Sequence, residues 1–357
     1  VWVASSTNLA LTPTAVALGK FDGIHLGHQK VIQPVLQSVK KEHQLEEGNI
    51  EGWENAENRE KLSSQTKANL PPTTPTDEHI YSTVVTFHPH PQEFFTGKPR
   101  TLLTPLDEKV QQLRSLGIEQ LILLPFDREL SALSPEDFVR KILVEQLQCR
   151  SISVGQDFCF GKKRLGTAVD LQRLAAKYNI PVTIVPLQTY TSNLPTTPEA
   201  TRISTSFIRQ ILEQGEIQQA NSLLGRPYTL IGIVIEGQKL GRTIGFPTAN
   251  LQLPNDKFLP RYGVYAVRVL ISSQTQNTHP IQKLGVMNLG NRPTVNGTHT
   301  SVEVHLFDWS GDLYSQQLVV ELVKFLRPEQ KFSSLEELKT QIQLDCTVAK
   351  EVLGATC

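Results

Sequence analysis

Short apolar runs alternate with helically spaced stretches through the first two-thirds of the chain. Val16–Leu18, Tyr81–Phe87, Gln120–Pro125, Ser151–Gly155 and Val182–Pro186 read as buried strands. Apolar residues at 31, 32, 35, 36 and 39 predict an amphipathic helix over Gln29–Glu42, with Pro34 kinking it or marking a late start. Thr104-Pro105-x-Asp107 and Ser134-Pro135-x-Asp137 each offer a hydroxyl N-cap, a proline at the first helical position and an acid in the first turn. A further helix is expected from about Thr167 to Tyr178. Strands alternating with helices predict βαβ units and a doubly wound parallel sheet.

The pattern changes after a helix over Glu216–Leu224, which stops at Gly225-Arg-Pro227. Tyr228–Glu236, Tyr262–Ile271, Ile281–Asn288, Ser301–Phe307 and Gln317–Phe325 are β-rich runs separated by turns. No helical pattern follows until Ser333–Leu353, where Leu335, Leu338, Ile342 and Cys346 share a face. This predicts a small antiparallel β-barrel closed by a C-terminal helix. With 357 residues the chain exceeds one typical core, and the expected domains are 1–224 and 225–357.

Composition changes this picture in one place. Residues 44–78, rich in Glu, Asn, Thr and Pro, are too polar to offset ordering entropy and are expected to form a disordered surface insertion. The formal net charge is zero, which gives no reason to expect a nucleic-acid or anionic-membrane surface. No apolar run is long enough to span a membrane and no signal-peptide pattern opens the chain. Cys149, Cys159, Cys346 and Cys357 lack ligand-like spacing, as expected of reduced thiols in a cytoplasmic protein. The chain starts at Val1, so an initiator methionine is missing or the start is incomplete.

Chemistry concentrates in a few stretches. In Val16–His28 an apolar run enters a loop with glycines at 19, 23 and 27, then a helix start carrying His25 and His28. Strand, glycine loop and helix N-terminus present N–H groups and a positive dipole end to a phosphate, and the imidazoles add donors. The same residues are compatible with a plain turn whose histidines are solvated. Arg202-Ile-Ser-Thr-Ser-Phe-Ile-Arg209 opens another helix, where Ser204, Thr205, Ser206 and two arginines suit a triphosphate or simply an N-cap with surface arginines. His88-Pro89-His90-Pro91 ends a strand in a rigid corner, either an apolar ligand wall or a turn with Phe95 in the core. Gly155–Gly166 carries Lys162-Lys163-Arg164 at another strand end, a ligand-facing cluster or a solvated charge run.

Beyond residue 225, Gly237-x-x-x-Gly241 leads into Gly245-Phe-Pro-Thr248-Ala-Asn250. It is no Walker A motif, yet its glycines let backbone approach phosphates and Thr248 and Asn250 offer hard oxygen ligands to Mg²⁺. A floppy hairpin loop is the competing account. Glu303 alternates with Val302 and Val304 on a strand, placing it on the solvent face or in the role of a base accepting a hydroxyl proton.

Gly19-Lys-Phe21-Asp-Gly-Ile-His25-Leu-Gly-His28 resembles the signature of the bacterial bifunctional riboflavin kinase/FMN adenylyltransferases. The asparagine usual after the first glycine is Lys20 here. The resemblance implies a nucleotidylyltransferase-like α/β domain in which Gly19, Phe21, His25 and His28 meet ATP, with Arg202, Ser204, Thr205, Ser206 and Arg209 beside it. It further implies that Pro89, Pro91, Phe95, Asp157 and Phe158 line an FMN site, and that His28 takes part in catalysis. The Gly237–Asn250 stretch resembles the riboflavin kinase signature, implying MgATP on Gly241, Thr248 and Asn250, with Glu303 as base for the riboflavin 5′-hydroxyl. Asn288–Thr294 and Phe325–Phe332 match family stretches too, making Arg327 a flavin- or nucleotide-site candidate.

The expectation is therefore a cytoplasmic enzyme, monomeric or a weak homo-oligomer, with riboflavin, FMN, ATP and Mg²⁺ as partners and neither nucleic acid nor membrane. Two rivals are an adenylyltransferase for another phosphate monoester, such as nicotinamide mononucleotide, and a non-catalytic flavin carrier or sensor.

Overall fold

The computed structural model describes residues 1–51, 79–190, 201–237, 240–271, 280–294 and 297–354. These fall into two compact units, each described by itself. The first holds residues 1–21, 27–98 and 110–187; the second holds 22–26, 99–109 and 188–357. The cut is not the 224/225 boundary read from the sequence, because Gln188–Leu224 and two short segments group with the barrel.

In the first unit, strands β1 (Trp2–Ala4), β2 (Thr14–Leu18), β3 (Tyr81–His88), β4 (Gln120–Pro125) and β5 (Cys149–Gly155) join a later strand in one parallel sheet. Two short strands, β6 (Cys159–Phe160) and β7 (Gly166–Thr167), pair antiparallel, and β8 (Val182–Val185) completes the sheet. The order is β1-β4-β3-β2-β5-β8, so the chain reverses its direction of travel between β2 and β5. That reversal opens a crevice at the carboxyl ends of the two strands, where such sheets take ligands. All five residues of β2 are buried, as a strand covered on both faces requires. Val16, Leu18, Val85, Ile122 and Val154 pack with Phe138, Val139, Leu143, Leu171 and Leu174 in one core.

Helix α1 (Leu26–Glu51) starts earlier and runs further than the spacing predicted. Pro34 lies inside it, because burial of Val31, Ile32 and Val35 on its inner face outweighs one lost backbone bond. The helix also takes in residues 44–51, so the start of the stretch expected to be disordered is helical; 52–78 lie outside the described residues. Next come α2 (Pro91–Thr96), α3 (Leu106–Ser115, which runs from the second unit into the first), α4 (Arg128–Ala132) and α5 (Pro135–Asp137). Ser134 caps α5 as predicted, its hydroxyl accepting from Asp137 N at 3.0 Å, and the turn continues as a π-helix over Phe138–Gln146. Thr104 does not cap α3: its hydroxyl accepts from Gly23 N, and the helix begins only at Leu106. Helix α6 (Ala168–Ala176) opens on a capping box between Thr167 and Asp170.

In the second unit, β9 (Thr189–Tyr190) pairs with β10 (Thr201–Arg202), and helices α7 (Thr205–Gln214) and α8 (Ile217–Leu224) follow. Strands β11 (Tyr228–Ile235), β12 (Ala249–Gln252), β13 (Gly263–Ile271), β14 (Ile281–Thr294), β15 (Gly297–Leu306) and β16 (Gln317–Arg327) close into an antiparallel barrel of order β11-β12-β15-β14-β13-β16. Leu230, Tyr265, Val267, Met287, Val304 and Leu318 fill it. Between β11 and β12 lies the short helix α9 (Leu240–Thr243).

The barrel matches the expectation with one strand added. Four-residue β12 had been read as the tail of a glycine loop, because too few alternating positions mark it. Helix α10 (Leu335–Gly354) closes the barrel with the C-terminal part of the predicted face, Ile342 and Cys346, continued by Ala349 and Leu353. Cys346, Ala349 and Leu353 pack on Val264, Ala266 and Phe307, whereas Leu335 is 62% exposed because the helix starts beyond the barrel wall.

Candidate active sites

In the first unit, the residues expected to bind flavin and nucleotide stand at the carboxyl ends of β2, β3 and β5. Gly19 follows β2, and its N–H donates to Val85 O at 3.2 Å. The Thr86 hydroxyl donates to Lys20 O at 2.9 Å, fixing the start of the loop. The Phe21 ring is fully buried, with His28 at a centroid distance of 5.2 Å. A Cβ on Gly19 would stand 3.1 Å from that ring, so a side chain there would crowd the loop.

At the end of β3, His90 Nδ1 accepts from Gln92 N at 3.1 Å and so caps α2, with Pro91 as first helical residue. The corner thus becomes a helix start, not the wholly extended turn that two prolines predicted. Phe95 is 70% exposed, edge-on to Phe94 and Phe126, which rules out its reading as a core residue. After β5, Asp157 is exposed, and Phe158 stacks on Phe160 at 5.8 Å. Lys162, Lys163 and Arg164 are solvent-exposed on one short 3-10 turn.

In the second unit, the middle of the glycine loop is clamped. Gly23 (φ 93°) and Ile24 (φ 42°) are left-handed, as is Phe21 (φ 45°) just before them. Such backbone costs a bulky residue on the order of 1–3 kcal/mol, so surrounding bonds must over-determine it. They do. Asp22, 2% exposed, accepts at Oδ1 from Leu103 N (2.7 Å) and Thr104 N (3.3 Å), and at Oδ2 from Arg209 Nη2 (3.0 Å). Its carbonyl accepts from the Thr205 hydroxyl at 2.8 Å. Ser204 caps α7 by accepting from Phe207 N, while Ser206 and Arg202 are exposed and His25 is buried. The Arg209 guanidinium, expected to meet ATP, is engaged with Asp22 and with Thr101 O, and lies 4.6 Å above the Phe258 ring.

The barrel brings its predicted residues together. Glu303 on β15 stands opposite Asn250 on β12 and opposite Asn288 on β14. Val302, Val304 and Leu306 point into the core, leaving Glu303 and His305 on the outer face, half-buried. The Thr248 hydroxyl donates to Glu303 Oε2 at 3.4 Å. Around this group the glycines are steric necessities: a Cβ on Gly237 would overlap the Asn250 amide, and one on Gly241 would overlap Phe246 O. A neutral hydroxyl, a neutral amide and one carboxylate beside backbone at closest approach form a hard-oxygen set that fits Mg²⁺ shared with phosphates. Asn288 joins this group only through the pairing of β14 with β15, a register that no signal in the sequence displays.

His305, on the same face of β15 as Glu303, lines a cavity of about 280 Å³ with Phe246, Phe307, Asp308, Gln343, Cys346, Thr347 and Lys350. His305 Nδ1 lies 2.8 Å from Pro247 O, and the Phe246 ring is edge-on to the imidazole. Burial pushes the Cys346 thiol up to about 11, aided by Asp345, so it lines the cavity as a neutral group. Arg327, another candidate, forks onto Asp345 of α10 with contacts of 2.7–3.1 Å.

Comparison with known proteins matches both halves of the chain. The riboflavin kinase family model matches residues 224–353, and the FAD synthetase family model matches 8–47 and 73–195. The bifunctional riboflavin kinase/FMN adenylyltransferase of Escherichia coli (strain K12) is 36% identical over 353 residues, covering 98% of this chain and 96% of the relative. The protein of the same description from Bacillus subtilis (strain 168) is 34% identical over 338 residues, covering 93% and 90%. A crystal structure described as a macrolide-efflux protein from Streptococcus pneumoniae shares the fold at a TM-score of 0.75 and 27% identity, over 98% of each chain. Among the described residues no helix is long and apolar enough to cross a membrane. Sequence identity over nearly the whole length, with both family models in order along it, makes the chain a member of the bifunctional riboflavin kinase/FMN adenylyltransferase family.

Proposed function

We propose that this chain phosphorylates riboflavin to FMN at the barrel site and adenylylates FMN to FAD with the residues of its N-terminal half, 1–224. The observation that carries the first assignment is Glu303 flanked in register by Asn250 and Asn288, with the Thr248 hydroxyl 3.4 Å away.

In phosphorylation, Glu303 accepts the proton of the riboflavin 5′-hydroxyl as that oxygen attacks the γ-phosphorus of ATP, and ADP leaves. Thr248 and Asn250 would hold Mg²⁺, which when bound neutralises charge on the nucleotide phosphates. Gly237 and Gly241 let the backbone approach those phosphates. The cavity lined by His305, with its aromatic wall of Phe246 and Phe307, suits the flavin ring. Glu303, two residues along the same strand face, would meet a hydroxyl at the end of a short polar chain.

In adenylylation, an oxygen of the FMN phosphate attacks the α-phosphorus of ATP. The bond to the β-phosphate bridge breaks and pyrophosphate leaves. No protein nucleophile is needed, so positioning and charge stabilisation carry the rate. His25, His28, the loop backbone beside Gly19 and Phe21, and Arg202 with Ser204 and Ser206 contact the triphosphate, while Thr205 holds the loop through its hydroxyl bond to Asp22 O. Arg209 acts from its seat against Asp22. Pro89, Pro91, Phe95, Asp157 and Phe158 form the flavin wall, with the exposed Phe95 ring free to stack.

Incubation with riboflavin, ATP and Mg²⁺, followed by separation of the flavins, tests the reading. FMN then FAD is the expected sequence; bound but unaltered riboflavin would leave only a carrier.

A further inference from the structure

One buried charged cluster in the second unit contains none of the residues placed at either site. Lys257, in the segment after β12, is 3% exposed, and its amine donates to Glu108 Oε2 at 2.6 Å and to Leu103 O at 2.8 Å. It also lies 4.5 Å from the centroid of the Tyr228 ring. The backbone on either side is zipped to the same partner: Leu102 N donates to Asp256 O at 2.6 Å, and Phe258 N to Leu102 O at 2.8 Å. Residues 101–104 are therefore held in place by the barrel segment 254–258.

That held stretch is what grips the phosphate loop. Leu103 N and Thr104 N donate to the Asp22 carboxylate, and the Thr104 hydroxyl accepts from Gly23 N. Arg226 Nη2 closes the clamp from the other side, donating to Gly23 O at 2.9 Å. Lys257 thus bonds the carbonyl of the very residue whose N–H fixes Asp22. Burial pushes the Lys257 amine down and the Glu108 carboxyl up, each opposed by the charge of the other. A buried ion pair of this kind is weak evidence for added stability. What it does supply is a defined distance between two backbone segments.

We propose that Lys257 is a positioning residue for FMN adenylylation: by holding Leu103 O it keeps Asp22 and the left-handed Gly23–Ile24 corner in the shape the nucleotide requires. The proposal rests on the reading of Gly19–His28 as the phosphate loop of that reaction. It also means that one short stretch of barrel serves both chemistries, since Lys257 lies only a few residues beyond Asn250.

The test uses full-length protein with Lys257→Met and, so that no bare carboxylate stays buried, Lys257→Met with Glu108→Gln. Kinetics of FAD formation from FMN, of riboflavin phosphorylation, and thermal unfolding are measured on the same preparations. In at least one folded variant, kcat/KM for ATP in adenylylation should fall about ten- to hundred-fold, the scale of a displacement near 1 Å. Riboflavin phosphorylation should stay within about two-fold. Unaltered adenylylation overturns the proposal. So does a parallel loss of both activities, or failure of both variants to fold, either of which makes Lys257 an anchor of the whole unit. A wild-type protein that makes no FAD from FMN defeats the parent reading together with this one.

Discussion

Arg327, at the end of β16, and Asp345, on α10, are joined by a bidentate ion pair with Nη2 to Oδ2 at 2.7 Å. Their side chains are 15% and 7% exposed, so the pair ties the closing helix to the barrel wall. Removing one partner of a pair this buried strands the other charge. Arg327→Met should therefore lower stability by about 3 kcal/mol, read from denaturant unfolding. Unchanged stability with a raised riboflavin KM would instead make Arg327 a direct flavin contact, the role expected from its motif.

Gly23 is the tightest point of the glycine loop proposed to hold the nucleotide. Its φ of 93° disfavours any side chain, and a Cβ there would lie 2.9 Å from Leu103 Cδ1. Gly23→Ala should cost about 1–3 kcal/mol and depress FAD formation, while riboflavin phosphorylation by the folded protein persists. Adenylylation at the wild-type rate would show that this corner is not part of the nucleotide site.

Acid should weaken the first unit through Glu119. Burial raises its pKa, but Ser82 N and Oγ, donating at 2.8 and 2.9 Å, together with His79, outweigh that and hold it below the usual carboxylate value. A carboxyl depressed in the folded state stabilises above its unfolded pKa, and that contribution disappears as pH falls through the folded value. Glu119→Gln should thus lower the melting temperature near neutrality, and the gap to wild type should close on acidification. A gap that does not change with pH would contradict the assignment.

Most of the parallel sheet and the barrel was legible in the sequence because the strands are apolar runs between turn residues, and the helix before the barrel was legible by its stop at Gly225, a left-handed C-cap; three-residue β1 was not. The places where reading failed share a cause: the deciding partner is far away along the chain. Thr104 looked like an N-cap, yet its hydroxyl serves Gly23, 81 residues earlier. Strand β12 offers only four residues and forms because β11 and β15 flank it. Pro34 read as a kink or a late start, but tertiary burial of its neighbours carries α1 through it from Leu26. Glu303 and Asn250 could each be flagged by type, while their meeting across one ladder rung could not. Lys257 carried no signal at all, since a lysine in a polar loop reads as solvated until its carboxylate partner is known. The stretch 44–78 was recognisable by composition, and the FAD synthetase match is interrupted over much of it, from 48 to 72.

The central claim is that Glu303 is the base of the phosphorylation site and plays no part in adenylylation. Glu303→Gln keeps the shape of the side chain and its place opposite Asn250 while removing the proton acceptor. Both reactions should be followed in the full-length variant, with riboflavin supplied in one assay and FMN in the other. Riboflavin phosphorylation is predicted to fall roughly hundred- to ten-thousand-fold, as for loss of a general base, with FMN still converted to FAD at close to the wild-type rate. Undiminished phosphorylation of riboflavin by Glu303→Gln would contradict the account.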